Sequence, residues 1–332
     1  PVRVVDGGHY GPGFIARIVT HKQLDCVPLY RQTTIFGREG LRVGRSTLVD
    51  LFHRAAMLIE PIYERMLELV REARVVHADE TSLKIQRRKK LGFVWTFITS
   101  DCITYVFSPD RSGETPARVL GDSSGVLVVD GYSGYNHVTV PERRTRAGCN
   151  VHARRRFIDI DDPDAADVIE HYKKVFAVER DAREAGIVGT PEHLALRAAR
   201  AGPAMKAIKA KCDELHGRHG PKTPMGKAVG YVRNQWEYLE RFLEDVELEP
   251  SNNLSERALR IVALGRKNDL FVGHEGAGQR AAMLTSLLQT CVLHGVDPQQ
   301  YLADVLIRVQ GHPNSRLDDL LPHRWKALFG PE

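Results

Sequence analysis

Three acids in this sequence stand where phosphodiester chemistry would need them. Asp79 closes the strand-like run from Arg74, Asp130 closes the apolar run from Val126, and Glu256 lies on a later helical stretch. Moving a phosphoryl group between oxygens requires an activated nucleophile and relief of charge on the leaving oxygen. Two divalent cations roughly 4 Å apart do both, and they need several carboxylates converging on one spot. Mg²⁺ prefers oxygen donors and keeps positions open for water and phosphate. Acids at the ends of two neighbouring strands, with a third on a helix crossing the sheet, would supply that arrangement. The residues alone leave the third ligand open. If Val76 and Ala78 face inward, strand alternation puts Glu80 on their face and Asp79 on the other, so Glu80 competes with Glu256. Asp130-Gly131 is also a common turn dipeptide, which gives Asp130 a purely structural alternative.

The elements that must position these acids can be read from periodicity. Gly13 to His21 reads as a helix, a second follows Pro28 and stops at Gly37 or Gly40, and a third begins near Ser46 as N-cap. With Arg42 and Arg45 at its entry this pair resembles a helix-turn-helix, against the plainer reading of a helical hairpin packed on the core. A further helix is expected from Pro61 to Ala73. Strands are expected at 74–79, 93–99 and 103–107, a short helix at 114–120, and a buried-type strand at 126–130 pairing beside the first. This order is that of a ribonuclease-H-like α/β fold. From 164 to 247 the pattern is helical throughout, an insertion opened by Pro163. The acidic run from Asp159 to Asp167 falls at that helix start and is read as capping rather than metal binding. Helices at 279–294 and 298–309 end the chain. The expected organisation is a helical region at 1–73, a catalytic domain in two parts at 74–157 and 249–295, the insertion at 158–248 and a helical tail at 296–332. Trp95 and Phe97 are expected to pack under the sheet, and the Gly273–Gly278 stretch to be a loop before a helix, without the lysine of a phosphate loop.

The chain has 332 residues, 42% hydrophobic and 27% charged, enough for more than one unit. No apolar run approaches the roughly 20 residues of a membrane span, and no signal-peptide pattern opens the chain. It begins at Pro1 rather than Met, as a fragment would. Five scattered cysteines offer neither a disulfide framework nor a paired zinc motif, which fits a reducing compartment. The net charge is +5, yet cations gather in blocks: Arg87–Lys90, Arg143 to Arg146 with Arg154 to Arg156, and Arg257, Arg260, Arg266 and Lys267. One block is usually a solvated face. Three blocks beside three candidate acids point to a polyanion such as DNA, with Arg154, Arg155, Arg257, Arg260, Arg266 and Lys267 as backbone contacts.

Several strings then resemble one family, the insertion-sequence-66 transposases, which are bacterial Asp-Asp-Glu (DDE) enzymes. They are His77-Ala-Asp-Glu-Thr81, Asp130-Gly-Tyr-Ser-Gly-Tyr-Asn136, Gly148-Cys-Asn-Val-His152 with Ala153-Arg-Arg-Arg-Phe157, and Asn252-Asn-Leu-Ser-Glu-Arg-Ala-Leu-Arg260. Gly265-Arg-Lys-Asn268, His294-Gly-Val-Asp-Pro298 and Leu320-Leu-Pro322 follow in order, with Pro28 to Gln32 and Arg45 to Leu48 upstream. The resemblance implies that Asp79, Asp130 and Glu256 are the metal-binding catalytic acids, and so selects Glu256 over Glu80. It implies two Mg²⁺ or Mn²⁺ ions, a water or 3′-hydroxyl nucleophile and no covalent protein–DNA intermediate. It further implies double-stranded DNA partners (element ends and target), a homo-oligomer on DNA, accessory proteins of the element, and a cytoplasmic, nucleoid-associated location. Cys149 and His152 resemble a supporting C-x-x-H element, and Asn253 a supporting residue beside Glu256. The chain departs from the family pattern at Asn150, Ser251 and Asp269. Members carry an N-terminal region with zinc-ligand cysteines that nothing here matches, so end recognition is expected to reside outside this chain. A nuclease without strand joining, or a non-catalytic DNA-binding remnant, are the competing expectations.

Overall fold

A computed structural model of the chain describes residues 4, 8–86 and 91–330. The Arg87–Lys90 block lies outside the described residues. The protein is mixed α/β and helix-rich, and divides into two compact units, Pro1–Ser123 with Ser255–Glu332, and Ser124–Leu254.

The first unit opens with α1 (Pro12–Gln23), α2 (Leu29–Arg38) and α3 (Arg45–Glu72). Pro12 begins α1 at a position where its missing N–H costs nothing, and Gly40 turns the chain after α2 at φ +86°. The N-cap of α3 is Gly44, without a side-chain bond, rather than Ser46. α3 also runs straight through Pro61, where the sequence suggests a separate helix. Ile59, Ile62, Tyr63, Met66 and Val70 form one buried stripe across that proline. Burial of this stripe offsets the roughly 3 kcal/mol cost of an internal proline.

Three antiparallel strands follow, β1 (Val75–Leu83), β2 (Gly92–Ile98) and β3 (Ile103–Ser108), in the order β3-β2-β1. The sequence ends the first strand at Asp79. Pairing with β2 instead carries it on to Leu83, opposite Gly92, and leaves Asp79 mid-strand opposite Thr96. Trp95 and Phe97 are fully buried, as expected. α4 (Glu114–Leu120) completes this segment.

The second unit contains β4 (Gly125–Val129) and β5 (Arg144–Gly148), a parallel pair, then α5 (Asn150–Ile158), α6 (Pro163–Glu184), α7 (Pro191–Leu196), α8 (Gly202–Leu215), α9 (Pro224–Asn234) and α10 (Trp236–Glu240). β5 was not expected, because its arginines read as surface charge. Asp162 caps α6 by accepting from the Asp164 N–H at 2.8 Å, the structural role expected of that acidic run. A buried ion pair stitches the helices: Arg197 donates twice to Glu179, each at 2.8 Å, and to the carbonyls of Phe242 and Asp245.

The chain then returns to the first unit with α11 (Asn253–Asp269), α12 (Glu275–Leu293), α13 (Pro298–Arg308) and α14 (Pro322–Phe329). α12 lies along β3, the edge strand. An edge strand presents backbone groups that a partner strand would otherwise satisfy. Here two hydroxyls one helical turn apart satisfy them. Ser286 accepts from the Tyr105 N–H at 2.8 Å and Thr290 from the Ile103 N–H at 3.0 Å. Gly278 permits the approach, since a Cβ there would meet the Phe107 ring at 2.7 Å. Among the described residues no helix is long and apolar enough to cross a membrane.

The hydroxyl pairing predicts a measurable penalty. Thr290→Val keeps the side chain's shape but strands the Ile103 N–H, and should lower unfolding free energy by about 1–3 kcal/mol in urea titration. An unchanged midpoint would show that the edge is satisfied some other way.

Candidate catalytic acids and their supports

The expected site residues occupy distinct structural positions. Asp79 lies half-buried in the middle of β1, where its Oδ1 accepts from the Glu80 N–H at 2.8 Å. Val76, His77 and Ala78 before it are all buried, so both faces of β1 are covered as it approaches the acid. Glu80 is differently placed. Its side chain is only 1% exposed and its Oε1 takes both Nε and Nη2 of Arg111, at 2.8 and 2.5 Å. That oxygen is thereby held in a charge-assisted pair with a guanidinium. Glu256 sits half-buried in the first turn of α11. That helix is fixed to the strands by Tyr105, whose buried hydroxyl donates to the Ala258 carbonyl at 2.8 Å. Asp79 and Glu256 belong to the first unit.

Asp130 belongs to the second unit, directly after the end of β4, and its Oδ1 accepts from the Tyr132 N–H at 2.9 Å. The loop it opens is organised by Arg146, on β5. The Arg146 guanidinium donates to the carbonyls of Asp130 and Tyr132 and to Asn136 Oδ1, the last two at 2.9 Å. Its own carbonyl accepts from Arg241, and its guanidinium stacks 5.6 Å from the Tyr238 ring centre. Burial pulls the Arg146 pKa down, opposed by nearby Asp130. Arg144 on the same strand is wholly buried, and burial pushes it down to about 10.

These two arginines correct the sequence reading. They are interior supports, not part of a DNA-facing block. The alternation of Arg144 and Arg146 about exposed Thr145, running into Ala147-Gly148, was the available signal for a strand. On the far side of the loop Tyr231 packs against Gly131, and burial followed by the Asp130 charge pushes its hydroxyl up to about 12.

Cys149 supports the region from the interior. Its Sγ accepts from the Asn252 N–H at 3.2 Å, while the Asn150 N–H donates to the Pro250 carbonyl at 2.8 Å. These bonds pin the segment leading into the Glu256 helix; Asn253 opens that helix, and His152 lies half-buried on α5. All five cysteines are free and buried. Of the expected DNA contacts, Arg155, Arg257, Arg260 and Lys267 are exposed and Arg154 is half-buried. Arg266 is engaged inside the first unit, donating to the Ser82 carbonyl at 2.6 Å.

The three carboxylates are oxygen-only donors of the kind a hard divalent cation prefers. Among the described residues, however, no three His, Cys, Asp or Glu side chains group closely enough to hold a metal ion.

Comparison with known proteins decides the family. The family model described as "Transposase IS66 family" matches residues 7–280, and that of the "IS66 C-terminal element" matches residues 286–323. The chain belongs to the IS66 transposase family. Similar proteins include two from Sinorhizobium fredii, both described as uncharacterized. The protein y4jD is 33% identical over 98% of this chain and 68% of its own length, and y4hP is 31% identical over 98% and 64%. This IS66-family chain thus spans about two thirds of the length of those relatives.

The Asp130 loop yields a directional test. An alanine Cβ at Gly131 would lie 2.7 Å from Tyr231 Cε2. Gly131→Ala should therefore destabilise by about 1–3 kcal/mol, and Tyr231→Leu should remove most of that penalty. Equal penalties in both backgrounds, measured by a double-mutant cycle in urea, would rule out the steric account.

Proposed function

We propose that this IS66-family chain is the catalytic core of a DDE transposase that cuts and joins DNA strands at insertion-sequence ends. Membership of the family over nearly the whole chain carries this reading. Asp79, Asp130 and Glu256 are the acids that would hold two Mg²⁺ or Mn²⁺ ions, and the ribonuclease-H-like arrangement is the fold that would assemble them. Bound there, such ions would sharpen a water or 3′-hydroxyl nucleophile and take up charge on the leaving oxygen.

The placement of each acid supports its role. Asp79 is held on a paired strand, Asp130 at a strand terminus clamped by Arg146, and Glu256 on a helix tied to β3 through Tyr105. Glu80, the competing acid, is ion-paired with Arg111. Exposed Arg155, Arg257, Arg260 and Lys267, with Arg154, are suited to contact DNA phosphates, and Arg266 to hold its helix against β1. Double-stranded DNA is the partner this implies, bound by a homo-oligomer with accessory proteins of the element.

The test uses insertion-sequence-end DNA carrying a free 3′-hydroxyl, a target plasmid and Mg²⁺. Joined products are expected. Asp79→Asn, Asp130→Asn and Glu256→Gln should each reduce joining by at least ~10³-fold, the loss of about 4 kcal/mol of transition-state stabilisation. Glu80→Gln should retain most of it. Full joining by Asp79→Asn would reject the assignment, and cleavage without joining would make the protein a nuclease.

A further inference from the structure

Within the first unit lies a cavity of about 540 Å³, walled by α1, α2, α3, β1, β2, β3, α11, α12 and the 270–274 loop. This volume is ample for one drug-sized molecule. Its chemistry is divided. Aromatic groups contribute heavily to the lining, among them Tyr30, Phe52, His53, Tyr105, Phe271 and His274. Tyr30 and Phe271 remain 49% and 39% exposed, so their rings are available to a ligand.

Cations stand around this apolar space. Arg45 lines the cavity, is exposed, and has no carboxylate partner among the described residues. Arg280 stands close enough to bear on the charge of His53. Lys22 faces the Phe52 ring at 6.0 Å, with its own charge met by Asp269 at 2.7 Å. Arg31 is bonded to the Tyr30 hydroxyl at 3.0 Å and lies over that ring. His274 caps α12 and marks the positive end of a 19-residue helix at the cavity wall.

Two further observations point to a ligand. His53, half-buried, presents a polar ring to the cavity lining, and its occluded Nδ1 has no hydrogen-bond partner. Burial, reinforced by Arg280 and His274, lowers the His53 pKa and favours the neutral ring, which can donate or accept. The mouth is also strained: Leu270 adopts φ +65°, a conformation rarely tolerated by a bulky residue, and is 64% exposed. The loop is held there by a bridge to the extension of β1, through Val272 N–H to the Lys84 carbonyl at 2.9 Å and Gln86 N–H to the Val272 carbonyl at 2.8 Å.

We propose that this cavity receives one unstacked nucleotide of a DNA strand, its base among the aromatic side chains and its phosphate toward Arg45 and the start of α12. An aromatic, sequence-tolerant slot beside cations is the chemistry by which proteins hold single-stranded bases, and a purely apolar ligand would leave the cations and His53 unused. The assignment rests on the DNA reading above but requires neither the three acids nor metal.

A photo-crosslinking experiment in EDTA tests it. A single-stranded oligonucleotide carrying one 5-iododeoxyuridine is bound to the full chain, irradiated, and the crosslinked peptides are sequenced by mass spectrometry. Crosslinks are expected at Tyr30, Phe52, His53 or Phe271. Ala281→Phe, which fills the cavity from α12, and Arg45→Ala at its exposed rim should each lower that yield on the order of tenfold, with thermal unfolding confirming that both variants fold. Crosslinks confined to other residues, or yields unchanged in both variants, would overturn the proposal while leaving the DNA reading intact. Failure to retain the single-stranded oligonucleotide would overturn the proposal, and failure to retain an insertion-sequence-end duplex as well would reject the DNA reading. Loss of the crosslink to equimolar thymidine monophosphate would reassign the cavity to free nucleotides.

Discussion

The outer edge of β3 is the constraint on which the first unit depends. Its backbone groups face no further strand, and burying them unpaired would cost about 1–3 kcal/mol each. The chain meets this need with α12, whose Ser286 and Thr290 lie some 180 residues away in sequence. The same strand supplies Tyr105, which accepts at its carbonyl from the Tyr63 hydroxyl on α3 and donates through its own hydroxyl to Ala258 on α11. Three helices from both ends of the chain are thus referred to one six-residue strand, and the Glu256 helix is among them.

The second unit solves a different problem by a related means. Asp130 follows a buried strand into an irregular loop, where carbonyls have no ladder to join. Arg146 supplies a planar fork of donors that gathers the carbonyls of Asp130 and Tyr132 with the Asn136 side chain. A lysine could reach one of these acceptors but could not hold all three in a plane. Both terminal nitrogens of the guanidinium are engaged in this way, while its Nε is buried without a hydrogen-bond partner.

Much of this was legible in the sequence, and the losses have physical causes. Helices with clear apolar periodicity were found within a few residues, as were β2, β3 and α4. Asp79 was read as a strand end because β1 turns polar beyond it, yet strand length was set by pairing with β2, which the local pattern does not encode. Pro61 looked like a helix start because propensity is local, whereas the stripe that carries α3 across it is tertiary. β5 was missed because buried arginines resemble surface arginines in composition. Glu80 could be separated from Glu256 only by resemblance, since its partner Arg111 lies in a different segment. The aromatic cavity was invisible for the same reason: its walls come from the N-terminal helices, the first strands and α11–α12.

The division of the chain bears on its synthesis. The unit spanning Ser124–Leu254 is contiguous, while the other is split around it. On a ribosome, β1, β2 and β3 emerge early but must wait through the whole intervening unit before α12 arrives to cover the edge. The usual order, in which the N-terminal domain finishes first, is therefore inverted. The nascent chain carries an open strand edge, a template for association with its neighbours, for as long as elongation takes to reach Thr290.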